Sequence, residues 1–144
     1  GKWQHALVVL DNVYACHVQP DLITYDSTLS ACEKGSAWQQ AVAILASMGR
    51  ADLERDIITY NCAISACKHD QWKLALLLLV ECEVIALQLN VVTFSAAINA
   101  CSRSSAWLPA LTLLQNMQHV RVRPNLITYI SAISACEGAA EWQL

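Results

Sequence analysis

Charge is scarce in this chain. Of its 144 residues only 15% are Asp, Glu, Lys or Arg, against about 25% in typical soluble domains. Nine Lys and Arg stand against twelve Asp and Glu, a formal net charge of −3, which excludes a strongly basic nucleic-acid clamp. Long apolar runs are missing too. The longest, Leu74 to Val80, is closed by Lys73 and Glu81 and falls far short of the roughly 20 residues a helix needs to cross a bilayer. Residues 1–5 lack the apolar stretch and cleavage site of a signal peptide, and with no initiator Met the sequence is expected to be a fragment. No C-x-x-C or H-E-x-x-H occurs, so a zinc site lacks its usual spacing and no metal or cofactor is expected. What is plentiful is apolar side chain: 56% of residues, with mean hydropathy +0.35. Such a chain can bury enough surface to offset its ordering entropy, which excludes intrinsic disorder. Seven Cys, an odd number in a mid-sized chain, argue against a secreted disulfide scaffold.

Repetition accounts for much of this composition. Trp stands at 3, 38, 72, 107 and 142, in steps of 35, 34, 35 and 35. The stretches Asp21-Leu22-Ile23-Thr24-Tyr25, Asp56-Ile57-Ile58-Thr59-Tyr60, Asn90-Val91-Val92-Thr93-Phe94 and Asn125-Leu126-Ile127-Thr128-Tyr129 recur in steps of 35, 34 and 35. Cys32, Cys67, Cys101 and Cys136 keep the same period. Complete units are expected at 22–56, 57–90 and 91–125, with parts of units at 1–21 and 126–144, so a longer array is expected in the full protein. The single missing residue falls between Cys67 and Trp72, where a turn absorbs it best.

Each unit reads as two helices. The first is expected from about Leu22 to Glu33, behind Asp21 as N-cap and Pro20, which stops any helix from running through. The second is expected from about Ala37 to Met48, with Ser36 and Gln39 as a capping box and Trp38, Ala41, Val42, Leu45 and Met48 at helical spacing. Asp70 and Ser105 are the matching caps of later units. Pro109 falls in a first turn, where its missing N–H costs little. Nothing alternates like a half-buried strand. Paired helices stacked at this period make an all-α solenoid.

These residues resemble the pentatricopeptide repeat family. Ile58-Thr59-Tyr60-Asn61 is similar to the start of its first helix, Ala41–Met48 and Ala110–Met117 to its second, and Pro20-Asp21 and Pro124-Asn125 to its junction; Arg55 and Leu89 stand where Pro is usual. The tetratricopeptide pattern is absent, since Trp38 is followed by Gln39-Gln40-Ala41-Val42. The resemblance implies a right-handed superhelix and a non-catalytic module that reads single-stranded RNA, one base per unit, in a mitochondrion or chloroplast. It implies that the residue after the aromatic and the last residue of the unit meet the base edge: Asp26 with Asp56, Asn61 with Asn90, Ser95 with Asn125. Asp21 and Ile130 are halves of further pairs. Ile23, Ile58, Val92 and Ile127 would wedge between bases. Carboxylates only accept, whereas amides also donate, so an Asp at the unit end suits U or G and an Asn suits A or C. The resemblance further implies that Asn after the aromatic goes with pyrimidines and a small hydroxyl with purines, and together these give U or G, then C or U, then A.

A plainer explanation stands beside this one. Asp21, Asp56, Asn90 and Asn125 are good N-caps, which alone would make them recur. The Ile and Val residues could be packing. RNA affinity rests heavily on phosphate neutralisation, and only Lys34, Lys68 and Arg103 share a register. On the second helices, Val8, Ala43 and Leu77 share one outward register, and Val80 lies in another. Such patches often mark partner surfaces, and Leu74–Val80, apolar nearly all round, reads as buried on both sides. The alternative function is therefore a scaffold subunit docked by its convex face in a large organellar assembly. The periodic Cys and the aromatics Tyr25, Tyr60, Phe94 and Tyr129 read as core. His5, His17, His69 and His119 scatter across registers. No nucleophile–base pair or phosphate loop stands out.

Overall fold

A computed structural model describes residues 1–67 and 71–138 of the chain. Among the described residues there are eight helices and no strands: α1 (Lys2–Ala15), α2 (Leu22–Gly35), α3 (Trp38–Arg50), α4 (Ile57–Ala66), α5 (Trp72–Val84), α6 (Val91–Arg103), α7 (Trp107–His119) and α8 (Leu126–Gly138). The first pair runs two residues beyond each expected C-terminus. Lys68, His69, the expected cap Asp70 and Trp142 lie outside the described residues.

The even-numbered helices form one row. α2 packs on α4, α4 on α6 and α6 on α8, while each odd-numbered helix packs only against its even-numbered neighbours. Among the described residues no two odd-numbered helices pack together. The even row is thus the closely spaced, inner side of a curved solenoid, and the odd row is its splayed outer side. Between the rows lie Tyr25, Tyr60 and Phe94, buried with Leu29, Ile64 and Ile98. Small residues at fixed registers, Ala41, Ala75 and Ala110 on one row and Ala63, Ala97 and Ala132 on the other, are buried as well and let the helices approach closely. Tyr129 departs from the expected core and is 46% exposed. The earlier rings are shut in by an odd-numbered helix of their own pair, and none is described after α8. A Cβ on Gly35 would overlap the Trp3 indole, which fixes how closely α1 lies on the end of α2.

Arg55, at the position of Pro20 and Pro124, has its own partners. Its Nη1 lies 3.2 Å from Glu81 Oε1, its guanidinium sits 5.6 Å over the Tyr60 ring, and the Tyr60 hydroxyl donates to the same Glu81 oxygen at 2.8 Å. Burial and the Glu81 carboxylate push the Tyr60 phenol above its usual range. A three-residue link between the unit junction, α4 and α5 thus stands where two other junctions have Pro20 and Pro124 and a third has Leu89.

The helix ends correct one expectation. Ser36 and Ser105 do not cap α3 and α7. Both adopt left-handed backbone, φ 54° and 52°, and close the preceding helix: Ala37 N–H donates to Cys32 O and Ala106 N–H to Cys101 O. The N-caps of α3 and α7 are Ala37 and Ala106, with no side-chain bond. A connection of two residues at Ser36 or three at Ser105 leaves one serine no freedom to serve both helices, and the preceding helix's C-terminal hydrogen bonds claim it. The outer helices end the same way at His17, Asp52, Ala86 and Arg121, all at positive φ. There Val18, Leu53, Leu87 and Val122 donate to the carbonyls of Val13, Met48, Cys82 and Met117. α5 also differs from expectation. Ala75, Leu78 and Leu79 are buried, but Leu77 and Val80 are exposed, because no odd-numbered neighbour covers the outer face.

Two measurements check this account. Left-handed backbone costs a non-glycine residue about 1–2 kcal/mol, and glycine gives back roughly 0.5–1 kcal/mol in chain entropy. Ala86→Gly should therefore stabilise the chain by about 0.5–1 kcal/mol in urea unfolding. Tyr60→Phe should cost about 1 kcal/mol, one net hydrogen bond, and Arg55→Ala made on top of it should cost less than in the wild type.

Candidate nucleic-acid interface

The four inner helices begin alike. Asp21, Asp56 and Asn90 are extended residues, and their Oδ1, with that of Asn125, accepts the backbone N–H of Thr24 (2.9 Å), Thr59 (2.8 Å), Thr93 (3.1 Å) and Thr128 (3.0 Å) respectively. Each threonine hydroxyl lies within bonding distance of that same Oδ1, at 2.6, 2.9, 3.2 and 3.2 Å, that of Thr128 being closer, 2.6 Å, to the Asn125 backbone oxygen. The capping role is therefore real, and only one oxygen of each side chain serves it. The bonds from Thr24 hold the Asp21 carboxyl below its usual range. These threonines were not singled out from sequence as functional, although their recurrence before each aromatic was visible.

The wedge candidates are not core residues. Ile23, Ile58, Val92 and Ile127, one at the second position of each inner helix, are 73%, 59%, 55% and 62% exposed. They share the inner face because the even helices are covered by each other at the sides and by the odd helices behind.

Asp26, Asn61, Ser95 and Ile130 occupy the next register. Asn61 Oδ1 and Ser95 Oγ are shielded from solvent and have no hydrogen-bond partner. Asp26 is tied to its expected mate: Thr59 Oγ1 lies 2.9 Å from Asp26 Oδ1 and 2.9 Å from Asp56 Oδ1. Burial raises the Asp26 pKa, the Thr59 bond opposes it, and the Asp56 charge raises it further. Ile130 is exposed and offers no hydrogen bond. Lys34 and Arg103 are exposed, as are His5, His17 and His119. The thiols of Cys67 and Cys101 are buried, and burial pushes each up to about 11, which makes them poor nucleophiles. Cys32 is buried as well, and Cys136 is half-buried.

On the outer side Val8, Ala43, Leu77 and Val80 are all exposed. Val84 and Leu108, not singled out from sequence, join them. A groove of about 400 Å³ runs between α5 and α7, lined by Leu76, Leu79, Val80, Leu108, Pro109 and Leu113 among others.

A family model described as a pentatricopeptide repeat domain matches residues 8–70 and 77–139. The chain belongs to the pentatricopeptide repeat family. No curated protein matches it in sequence. Among similar solved structures is the pentatricopeptide repeat protein PPR10 in complex with an 18-nt psaJ RNA element, at 21% identity and TM-score 0.80, covering 96% of this chain and 21% of that one. PPR10 from maize is 24% identical with TM-score 0.75, covering 96% and 20%. The PPR domain of Arabidopsis thaliana protein-only RNase P 1, in complex with tRNA, is 14% identical with TM-score 0.82, covering 99% and 76%. These likenesses establish the fold, and this chain spans about a fifth of PPR10.

The Asp26 environment gives a pH test. Its carboxyl binds a proton more tightly folded than unfolded, so stability falls as pH rises through the carboxylate range and stays lowered at neutral pH. Asp26→Asn should raise Tm at pH 7, and the gain should shrink as the pH is lowered into that range. A gain that is constant with pH would contradict the assignment.

Proposed function

We propose that this pentatricopeptide array binds single-stranded RNA along its inner face, one base per repeat, as a binding module rather than a catalyst. The carrying observation is the row Ile23, Ile58, Val92 and Ile127, four branched apolar side chains more than half exposed, one per inner helix. Packing does not explain them. An apolar side chain held in water at every repeat gains by sliding between bases, whose faces offer the same apolar contact whatever their sequence. Beside them, Asn61 Oδ1 and Ser95 Oγ are shielded and partnerless, and a base edge would satisfy them once those side chains turn outward. Structures of similar fold in complex with RNA support the same reading. Asp26 with Asp56 would take U or G, Asn61 with Asn90 C or U, and Ser95 with Asn125 A. Family membership points to a mitochondrion or chloroplast as its location.

With nine Lys and Arg in the whole chain, few phosphates would be neutralised, so affinity should fall only shallowly with salt. Ile58→Ala and Val92→Ala should each weaken RNA binding by about 1 kcal/mol, roughly fivefold, with stability changed by no more than about 0.5 kcal/mol. No detectable binding to a randomised RNA pool at low salt would sink the reading. Asn61→Ala with unchanged base preference would remove the base-edge assignment alone.

The exposed Leu77, Val80, Val84 and Leu108 around the α5–α7 groove favour a second reading, a scaffold docked by its outer face. Leu77→Glu and Val80→Glu should then release the protein from its native assembly without loss of fold. Co-purification as before would rule this out.

A further inference from the structure

We infer that the buried threonine near the start of α4, α6 and α8 is a positioning residue for base recognition: it fixes which chemical face the preceding Asp or Asn presents to RNA. The inference rests on the RNA-binding reading above and concerns Thr59, Thr93 and Thr128, each 0% exposed.

Backbone N–H groups only donate. Val92 and Thr93 present theirs to one atom of Asn90, at 2.9 and 3.1 Å, and Thr128 presents its own to one atom of Asn125 at 3.0 Å. That atom has to be the amide oxygen, which settles the orientation of each carboxamide by chemistry. The Thr93 hydroxyl adds a further bond to the same oxygen at 3.2 Å; the Thr128 hydroxyl lies 3.2 Å from Asn125 Oδ1 and 2.6 Å from the Asn125 backbone oxygen, so its one proton is shared between them. It also accepts the asparagine's own N–H, at 3.5 Å from Asn90 and 2.7 Å from Asn125. The box is reciprocal, so it holds the asparagine backbone as well as its side chain.

An unrestrained asparagine can offer a base either an acceptor or a donor. One held by its oxygen offers only the N–H groups of Nδ2. That face matches a base whose Watson–Crick edge carries a ring-nitrogen acceptor, as A and C do, and opposes the ring N–H of G and U. At the Asn61–Asn90 site this narrows C or U to C, and at the Ser95–Asn125 site it selects A against G. The Asp26–Asp56 site differs. Thr59 Oγ1 lies 2.9 Å from both carboxylates, so its single proton serves one at a time, and the pair keeps acceptor capacity for the ring N–H of U or G.

The test uses the whole chain, short single-stranded RNAs differing only at the nucleotide facing Ser95 and Asn125, and fluorescence anisotropy. Thr128→Val should reduce the A-over-G affinity ratio about fivefold, the worth of one neutral hydrogen bond, and Thr128→Ser should restore it. A purely structural threonine would lower Tm and leave that ratio unmoved, and this result would overturn the inference. Absence of binding by the wild type, or a ratio unaltered by Asn125→Ala, would instead overturn the RNA reading beneath it. Should Thr128→Val not fold, the wild type still decides. NMR should show scalar coupling across the hydrogen bond from the Thr128 amide nitrogen to the Asn125 side-chain carbonyl carbon, and its absence would overturn the inference.

Discussion

No helix of this chain can bury its apolar stripe alone, and the rest of the structure follows from that. The helices are 10 to 14 residues long and marginal in isolation. Each gains stability by pressing on the next pair, and successive inner helices pack directly on one another. The period of about 35 residues is the sequence record of that constraint. A residue that must meet its counterpart in the next unit has to return at the same place, as Tyr25, Tyr60 and Phe94 do.

Once the inner row is packed, its free surface is set. The side chains at the second position of each inner helix can reach neither neighbour and face the concavity, so apolar residues there cannot be explained by the core. The helix-starting Asp and Asn residues stand at the same edge. Starting a helix uses only one atom of each of these side chains: Oδ1 is committed to the helix, while the second oxygen or the amide nitrogen is left to the ligand-facing role proposed above.

Much of the fold was legible in the sequence because the signals were periodic. Eight helices, their pairing and the four Asp or Asn caps could be read from spacing and cap chemistry. Failures came where one residue had two local claims on it. Ser36 and Ser105 carry a capping signature, yet the previous helix takes them as left-handed terminators, a competition that single-position preferences do not resolve. Leu74–Val80 looked enclosed because periodicity shows which face of a helix is apolar, not whether anything covers the far side. The sharing of the Thr59 hydroxyl between Asp26 and Asp56 depends on helix-to-helix placement that no local pattern encodes. The candidate inner-face residues were legible as registers, but their exposure was not.

The left-handed residues that end the outer helices make no shared chemical demand. His17, Asp52, Ala86 and Arg121 have one backbone shape in common and nothing else: an imidazole, a carboxylate, a methyl and a guanidinium. All four side chains are exposed. Along this edge the fold prescribes a conformation and leaves polarity free, so the sign of the local field can be rewritten one repeat at a time without disturbing the core. In a chain with so few charges, that edge is a place where its electrostatic character is adjustable.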